Sequence, residues 1–555
     1  MTRRIVRTIV QVSSVALVTF LVVFFLDRNF RVLPSAIHEY MPQHHAGLLI
    51  TDITIKKCSS INVFSSCRLD PDVWHRIEKD LYLGKTVVTS AYIHVRRKKE
   101  EELTSDDKVI IDVNVGRLDP GTNKKGQADE RWEPREAGLW IKRSAKKVAI
   151  DSKRTITAVD VLFGDDAVEA RDGWEMPEKG TPLLLDGGPK VPSAHITVRR
   201  GSQQDPYKPQ LRIKENGKFK VMQVSDMHLS TGVGVCRDAM PEGPESDRCE
   251  ADPRTLDFVT RVLEDEKPDL VVLSGDQING DTAPDAQSAV FKYAQLLVKH
   301  KVPYVTILGN HDDEGAAGAS LTRANQMALV ETLPYSLSKS GPEDIDGVGN
   351  YYVEILAKGS SKHSAVTVYL LDSHSYSPDE RRFKGYDWIK KNQIDWFRQT
   401  AQGLKKKHKE YTHLHLNIAF IHIPLPEYRD TEQFFKGEWR EGVTAPNYNS
   451  GFRDALVEQG VSMISCGHDH ANEYCALSQN PDSKKPELWM CYAGGSGFGG
   501  YGGYGGFHRK IRIFDLDLND GRITTWKRVE WGETKQKIDE QMIVDAGKPT
   551  APMEE

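Results

Sequence analysis

The sequence predicts an α/β protein that follows a β-rich region and an apolar N-terminal segment. Between residues 211 and 534, five short apolar runs have the length and β-branched content of buried strands. Helical patterns lie between some of them, for example Thr255 to Glu266 and Ala286 to His300. Each run ends near an Asp, Asn or His, which is typical of a sheet with its functional site along one edge.

Size and composition indicate two or three domains. The chain has 555 residues, of which 39% are hydrophobic and 28% are charged, as in ordinary soluble globular domains. Its formal net charge of −5 gives no reason to expect nucleic acid as a partner, since nucleic-acid binders carry a positive excess.

The first 31 residues predict a short cytosolic stub and one transmembrane anchor. Ile9 to Leu26 contains no charge, and a helix of this length spans about 27 Å, close to the hydrocarbon thickness of a bilayer. Arg3, Arg4 and Arg7 precede it and no small-residue cleavage site follows, which favours a retained signal anchor. We therefore expect a single-pass membrane protein of an endomembrane, the ER or the vacuole.

Residues 45–200 predict a separate β-rich domain. Alternating apolar runs such as Leu48 to Ile55 and Lys108 to Val115 recur there, separated by charged or Gly-rich connections. A small β-sandwich or half-barrel with one helix near Asp70 to Leu83 fits this pattern. The polar stretch Gly201 to Pro209 is the expected linker to the α/β region.

The seven cysteines leave the redox state open. Cys58 lies close to Cys67 in the sequence, and Cys236 lies close to Cys249. Either pair is compatible with a disulfide in an oxidising lumen or with reduced thiols in the cytosol. The spacing of the cysteines does not indicate a structural zinc site.

Seven polar residues follow the five predicted strands of the α/β region. They comprise two carboxylates, one amide and four imidazoles. In chain order they are Asp226, His228, Asp276, Asn310, His422, His468 and His470. Within Asp226–His228 and His468–His470 the residues are two apart, so the side chains of each pair can face the same side.

This donor set predicts a dinuclear metal centre. Mixed nitrogen and oxygen ligands suit Fe, Zn or Mn, and thiolate is absent from the set. Seven ligands are too many for one ion but suit two divalent or trivalent ions that share a bridging carboxylate. Two such ions about 4 Å apart form the clamp used for in-line phosphoryl hydrolysis.

The motifs that carry these residues resemble the calcineurin-like metallophosphoesterase superfamily. They are D-x-H, G-D, G-N-H-D, a later single His and G-H-x-H, and the resemblance covers about residues 215 to 530. SDMHLSTGVG, SGDQING, HIPLPEY, GHDHANEYC and a later Gly-Tyr run are similar to fungal membrane-anchored phosphatases of the dosage-dependent cell-cycle regulator type and to plant purple-acid-phosphatase-like proteins. The resemblance implies a four-layer α/β/β/α sandwich over residues 211–534.

The resemblance also assigns roles to the seven ligands. Asp226, His228 and His470 would hold the first metal, and Asn310, His422 and His468 the second, with Asp276 bridging both. Purple acid phosphatases place a Tyr three residues after the bridging Asp and lack the His of the first block. This chain has Asn279 at the first of these positions and His228 at the second, so the metal pair stays open.

The resemblance further implies that His311 is the catalytic residue beside the leaving oxygen. Asp312 or Asp281 is expected to orient its imidazole, and Asp312 is the carboxylate that we place in the catalytic site. The acidic stretch Asp312 to Glu314 has two interpretations: it tunes His311, or it shapes which phosphoester fits.

Two later segments have no assigned chemistry. Ala493 to Phe507 contains nine glycines and is interpreted either as a flexible loop or as a loop over the mouth of the site. Residues 535–555 are polar and predict a tail.

The expected function is hydrolysis of phosphomonoesters, and the resemblance points to phosphoserine or phosphothreonine proteins as substrates, with a small phosphomonoester as the other expected substrate. A phosphodiesterase acting on nucleotides or lipids would use the same ligands. A catalytically silent scaffold of the same fold is the alternative from another class, and the complete ligand set argues against it.

Overall fold

The computed structural model describes residues 11–15, 18–19, 22, 48–59, 67–86, 88–104, 106–121, 130–145, 154–240, 249–314, 321–408, 414–430, 434–502 and 508–551. The predicted anchor, residues 1–31, lies outside these ranges except at eight positions. Among the residues described, none of the helices combines the length and apolarity needed to cross a membrane.

Nine strands are described in the N-terminal region, and they form three sheets of three strands each. The orders are β1-β3-β2, β4-β6-β5 and β7-β9-β8. Their bounds are Leu48–Ser59 (β1), His75–Arg76 (β2), Thr89–Lys99 (β3), Lys108–Val115 (β4), Trp132–Pro134 (β5), Leu139–Ala145 (β6), Ile156–Phe163 (β7), Trp174–Glu175 (β8) and Ala194–Arg200 (β9). The β-rich prediction is therefore consistent with the structure, although the helix expected near Asp70 to Leu83 is wrong: turns and the short β2 lie there.

The three small sheets repeat one pattern. In each, two long antiparallel strands pair with a register shift, after Ile50, Ile110 and Ile156 respectively. A tryptophan precedes or begins each short strand, at positions 74, 132 and 174. Buried residues of all three sheets meet in one core that includes Ile53, Val113 and Val161. The domain is thus a threefold pseudo-repeat around one centre, which the sandwich or half-barrel prediction did not specify.

Two seven-stranded sheets follow among the residues described after position 200. The first has the order β12-β11-β10-β20-β21-β22-β23. Its strands are Lys218–Val224 (β10), Leu270–Ser274 (β11), Tyr304–Ile307 (β12), Lys510–Asp517 (β20), Arg522–Val529 (β21), Ile538–Asp545 (β22) and Lys548–Pro549 (β23). Strands β10 to β12 are parallel, whereas β20 joins β10 antiparallel.

The tail predicted from residue 535 is corrected by this sheet. β22 pairs with β21, and Ile543 and Val544 are buried in the core, so the chain is ordered to residue 551. The apolar residues of this otherwise polar segment, Ile543 and Val544 among them, are enough for it to extend the sheet as a further strand.

The second sheet has the order β13-β14-β15-β17-β19-β18-β16. Its strands are Tyr351–Leu356 (β13), Ser364–Leu370 (β14), Leu416–Phe420 (β15), Phe434–Lys436 (β16), Met463–Cys466 (β17), Cys475–Gln479 (β18) and Pro486–Tyr492 (β19). The described α-helices are Ala251–Glu266 (α1), Ala286–His300 (α2), Arg323–Glu331 (α3), Lys391–His408 (α4) and Phe452–Glu458 (α5).

Alternate residues of the central strands face different layers. Val221 and Val272 pack against the second sheet, whereas their neighbours Met222 and Val271 pack against α1 and α2. The second sheet packs its other face against α4 and α5. Successive side chains of a strand point to opposite faces, so strands buried on both sides read as continuous apolar runs. The expected four-layer α/β/β/α arrangement is confirmed.

Candidate metal centre

The parallel strands of both sheets end at one shared edge. β10, β11 and β12 lead to Asp226 and His228, to Asp276, and to Asn310 and His311. In the other sheet, β15 leads to His422 and β17 to His468 and His470. The carboxyl ends of parallel strands meet in this way because crossover helices return each chain to the opposite edge. All seven predicted ligands are buried, with His470 the most exposed at 8%.

The backbone at this edge is strained. Asp226, His228, Asp276 and His468 all have positive φ, between 50° and 77°. For residues other than glycine, such conformations cost of order 1–3 kcal/mol each and persist only where the surrounding structure imposes them. Four of seven strand-end residues share this feature, so their side chains are aimed by the backbone and not by rotamer choice alone.

The three ligands assigned to the first metal, Asp226, His228 and His470, form one group. Nε2 of His228 and Nε2 of His470 lie 3.1 Å apart, and Nε2 of His470 lies 3.4 Å from Oδ1 of Asp226. The nitrogen and oxygen atoms of these three residues all lie within 4.8 Å of one another, which is close enough to share a cation.

A second group lies beside the first. Nε2 of His422 is 3.2 Å from both Oδ2 of Asp276 and Oδ1 of Asn310, and His468 completes the cluster. The same Oδ2 of Asp276 lies 3.8 Å from Nε2 of His228 in the first group. Asp276 therefore occupies the position between the two groups that a bridging carboxylate requires.

The tautomers of two histidines suit a metal. Nδ1 of His422 donates to the carbonyl of Ser274 at 2.9 Å, and Nδ1 of His470 donates to the carbonyl of Tyr501 at 2.6 Å. In the neutral form of each ring, the Nε2 lone pair then points inward, as in metal-binding histidines held by backbone carbonyls. Nε2 of His468 is buried and finds no hydrogen-bond partner within the described part of the chain. The residues present thus fit two cations.

Burial and charge set the protonation of these histidines. Burial lowers the pKa of His228 to about 3 and that of His468 to about 4, so both are neutral near pH 7. For His422 burial also lowers the pKa, but the negative charge of Asp276 outweighs it and raises the pKa to about 9. The carboxylates therefore create a field that attracts a positive charge into the centre.

His311 borders this centre and remains accessible. Its side chain is 35% exposed, and its ring centroid lies 5.2 Å from that of His228. Its backbone N–H donates to Oδ1 of Asp276 at 2.7 Å, and its Nδ1 contacts the carboxylate of Glu314. His311 therefore lies beside the first ligand group with its side chain partly exposed.

Asp312 has a different role from the one expected. Its carboxylate is buried and accepts hydrogen bonds from the backbone N–H groups of Asp276, Ile278 and Gly309, at 2.9, 3.0 and 2.6 Å. It therefore shapes the loop that presents Asp276, and the expectation that Asp312 or Asp281 orients His311 is corrected in favour of Glu314. The two interpretations of the acidic stretch Asp312 to Glu314 are that it tunes His311 or that it selects the phosphoester. The contact of Glu314 with His311 supports the first interpretation.

Arg323 was not singled out by sequence reasoning. Its guanidinium donates to the carbonyl of Gly309 at 2.7 Å and to the carboxylates of Asp313 and Asp372 at 2.9 and 2.6 Å. It thereby ties the loop of Asn310 to the second sheet. No motif surrounds it, and only the three-dimensional contacts reveal this function.

The Gly-Tyr run packs into the centre. Among its described residues, 493–502, the backbone N–H groups of Ser496 and Gly497 donate to the carbonyls of Ser225 and Asp226, both at 3.1 Å. Of the two interpretations offered, a flexible loop does not fit this described part.

Comparisons with known proteins agree with this geometry. The sequence model of the family described as "Calcineurin-like phosphoesterase" matches residues 219–472, a range that contains all seven ligands. Phosphatase DCR2 of Saccharomyces cerevisiae is 38% identical over 72% of this chain and 68% of its own length. The chain belongs to the calcineurin-like phosphoesterase family.

Other relatives of this calcineurin-like phosphoesterase differ in what their names state. An uncharacterized protein of Schizosaccharomyces pombe is 30% identical over 88% of both chains. "Probable inactive purple acid phosphatase 29" of Arabidopsis thaliana is 35% identical over 60% of this chain and 85% of its own. The stated resemblance to fungal phosphatases and plant purple-acid-phosphatase-like proteins is confirmed.

Proposed function

We propose that this calcineurin-like phosphoesterase is a dinuclear-metal phosphatase that hydrolyses phosphomonoesters. The observation that carries the proposal is the placement of Asp276 between two ligand groups, with the accessible imidazole of His311 beside them. Asp226, His228 and His470 would hold one ion and Asn310, His422 and His468 the other. When bound, two such ions supply an acidified water as nucleophile and neutralise the phosphoryl oxygens.

The residues of the chain provide the remaining chemistry. Nε2 of His311 donates a hydrogen bond to the ester oxygen and gives it a proton as the bond to phosphorus breaks. The carboxylate of Glu314 holds the Nδ1 proton and stabilises the imidazolium form that donates. The backbone N–H of His311 keeps Asp276 in place. Water and phosphomonoester thus give the alcohol and phosphate.

The proposal extends to phosphoserine and phosphothreonine in proteins. Its support is the similarity to a fungal protein named as a phosphatase and the exposure of His311, which a side chain on another protein can reach. Tyr376, which is 48% exposed, lies in the hairpin that follows β14 and interacts with Glu314, so it borders the same opening.

A comparison of three substrates tests the proposal. The purified full chain, loaded with Mn²⁺, is given a mono-aryl phosphate, a bis-aryl phosphate and phosphopeptides. We expect turnover of the monoester and phosphopeptides to dominate. Dominant turnover of the diester would instead favour a phosphodiesterase, and fewer than about one bound metal per chain would favour a silent scaffold.

We also propose that the domain works in an oxidising lumen, anchored in an endomembrane by the segment Ile9 to Leu26. The support is the apolar sequence of that segment together with three cysteine pairs in disulfide contact: Cys58–Cys67, Cys236–Cys249 and Cys475–Cys491. Disulfides persist in such compartments. Protease protection in sealed microsomes tests this, and digestion of the domain without detergent would contradict it.

A further inference from the structure

Tyr501 makes three kinds of contact with His470. The two rings stack with centroids 3.9 Å apart and planes 8° from parallel. The carbonyl of Tyr501 accepts from Nδ1 of His470 at 2.6 Å, and its hydroxyl accepts from the backbone N–H of His470 at 3.1 Å. Together these contacts restrain both the rotation and the tautomer of the imidazole.

The tyrosine is itself held in place. Its hydroxyl lies 3.1 and 3.2 Å from the two carboxylate oxygens of Glu441, and Glu441 also accepts from the backbone N–H of Ala471 at 2.6 Å. Tyr501 and the segment around His470 therefore share one partner, which fixes their relative position.

The residue before it leaves no room for a side chain. A Cβ on Gly500 would come within 2.4 Å of Cδ2 of His228 and within 2.6 Å of Cε1 of His470. The backbone of this loop therefore lies directly against both histidines of the first ligand group.

The segment that follows Cys236 forms hydrogen bonds with the loop that carries Tyr501. The N–H of Arg237 donates to the carbonyl of Phe498 at 2.8 Å, and the carboxylate of Asp238 accepts from the N–H of Gly502 at 2.9 Å. Both residues follow Cys236, which pairs with Cys249. The Gly-Tyr loop is thus clamped between this segment and the ligands.

We propose that Tyr501 is a positioning residue that fixes the imidazole of His470, and through it the first metal of the pair. The inference rests on the proposed dinuclear function, and it adds a residue outside the ligand motifs. The backbone carbonyl sets the tautomer, whereas the ring holds the imidazole plane. Loss of such supporting contacts typically weakens metal affinity about 10- to 100-fold.

Metal binding without substrate provides the test. The full chain is dialysed against increasing Mn²⁺ and the bound metal is measured by mass spectrometry. We expect two Mn²⁺ per wild-type chain. Tyr501→Leu, which keeps the carbonyl but removes ring and hydroxyl, should weaken one of the two sites at least ~10-fold and leave the other unchanged.

Three further variants sharpen the result. Tyr501→Phe keeps the ring and should stay within about 3-fold of wild type, because the ring supplies most of the restraint. Gly500→Ala should abolish one site, whereas Gly403→Ala, where a Cβ meets nothing within 4 Å, should not. Tyr207→Leu, at a tyrosine 59% exposed in the predicted linker, is the matched control for Tyr501→Leu.

The outcomes separate the two proposals. Two sites of wild-type affinity in Tyr501→Leu would overturn the inference while leaving the metal centre intact. Equal losses in Tyr501→Phe and Tyr501→Leu would overturn the assignment to the ring. Less than one Mn²⁺ in the wild-type chain would instead overturn the proposed function.

Discussion

The carboxylate of Glu314 contacts Nδ1 of His311, three residues earlier in the chain. The His311 side chain is 35% exposed, and its ring centroid lies 5.2 Å from that of the ligand His228. This pair has the geometry of a general acid and its orienting carboxylate, in which the carboxylate fixes the tautomer and stabilises the protonated ring.

Glu314→Gln should therefore lower kcat by about 10-fold with little change in KM, because the amide keeps the shape but loses the charge that stabilises the imidazolium. His311→Asn should lower kcat by at least ~10²-fold. The double variant should resemble His311→Asn alone, since Glu314 acts only through His311. Steady-state kinetics on a mono-aryl phosphate measures all three.

Glu343→Gln is the matched control for this series. Glu343 is exposed, and its substitution should leave both kinetic constants at the wild-type value. Unchanged kcat in Glu314→Gln would remove the carboxylate from the mechanism, and full additivity in the double variant would show that it acts independently of His311.

Lys292 predicts a large effect on stability. Its side chain is 1% exposed, and its ammonium lies 2.7 Å from Asp252 and 2.6 Å from Asp166 and donates to the carbonyls of Ser230 and Gly232. It thus joins α2, the loop after β10 and the N-terminal domain. Lys292→Met leaves the fully buried Asp252 without its cation, so we expect a loss of about 3–5 kcal/mol in the free energy of unfolding.

Urea denaturation monitored by tryptophan fluorescence measures this loss. Lys299→Met, at an exposed lysine about two helical turns further along α2, should change the free energy by less than about 0.5 kcal/mol. Similar midpoints for both variants would show that Lys292 is not needed to hold the N-terminal domain against α2.

Much of the metal centre could be predicted from the sequence, because each ligand follows an apolar run whose length and composition identify a buried strand. The central position of the two sheets in the α/β/β/α arrangement could be predicted for the same reason, since strands buried on both faces are continuously apolar. Tyr501 could not be found in this way. It lies 31 residues from His470, and its contact depends on the path of a glycine-rich loop that carries no periodic signal.

The disulfide between Cys475 and Cys491 shows a similar limit. These residues are opposite each other in the antiparallel pairing of β18 with β19, and a spacing of 16 residues does not reveal that register. The helix expected near Asp70 to Leu83 failed for a local reason: the N–H groups of Val73 and Trp74 turn back to the carbonyl of Asp70, and a short strand follows.

His195 predicts a pH dependence of stability. Burial lowers the pKa of this histidine below 6.5, and its Nδ1 donates to the carbonyl of Gly180 at 2.6 Å. A folded state that prefers the neutral ring is fully stabilised above the unfolded pKa and loses this stability as the pH falls through the lower, folded pKa. The wild type should therefore lose more stability between pH 7 and pH 5 than His195→Asn, which does not titrate. Parallel urea midpoints over this range would contradict the prediction.

Removal of metal should destabilise the catalytic domain, because Asp226 and Asp276 are then buried side by side with less positive charge to balance them. A cation at 100 times its Kd adds about 2.7 kcal/mol per site to the free energy of unfolding, so Mn²⁺ should raise the Tm of chelated protein and EDTA should reverse the rise.

Asn310→Ala tests which site contributes to that stabilisation. The side chain of Asn310 is fully buried, and its Oδ1 lies 3.2 Å from Nε2 of His422 in the second ligand group, so its loss should weaken that site alone. We expect calorimetric scans of this variant to show about half of the wild-type increase in Tm with Mn²⁺. A full increase would mean that Asn310 is not a ligand, and no increase would mean that the two sites fill only together.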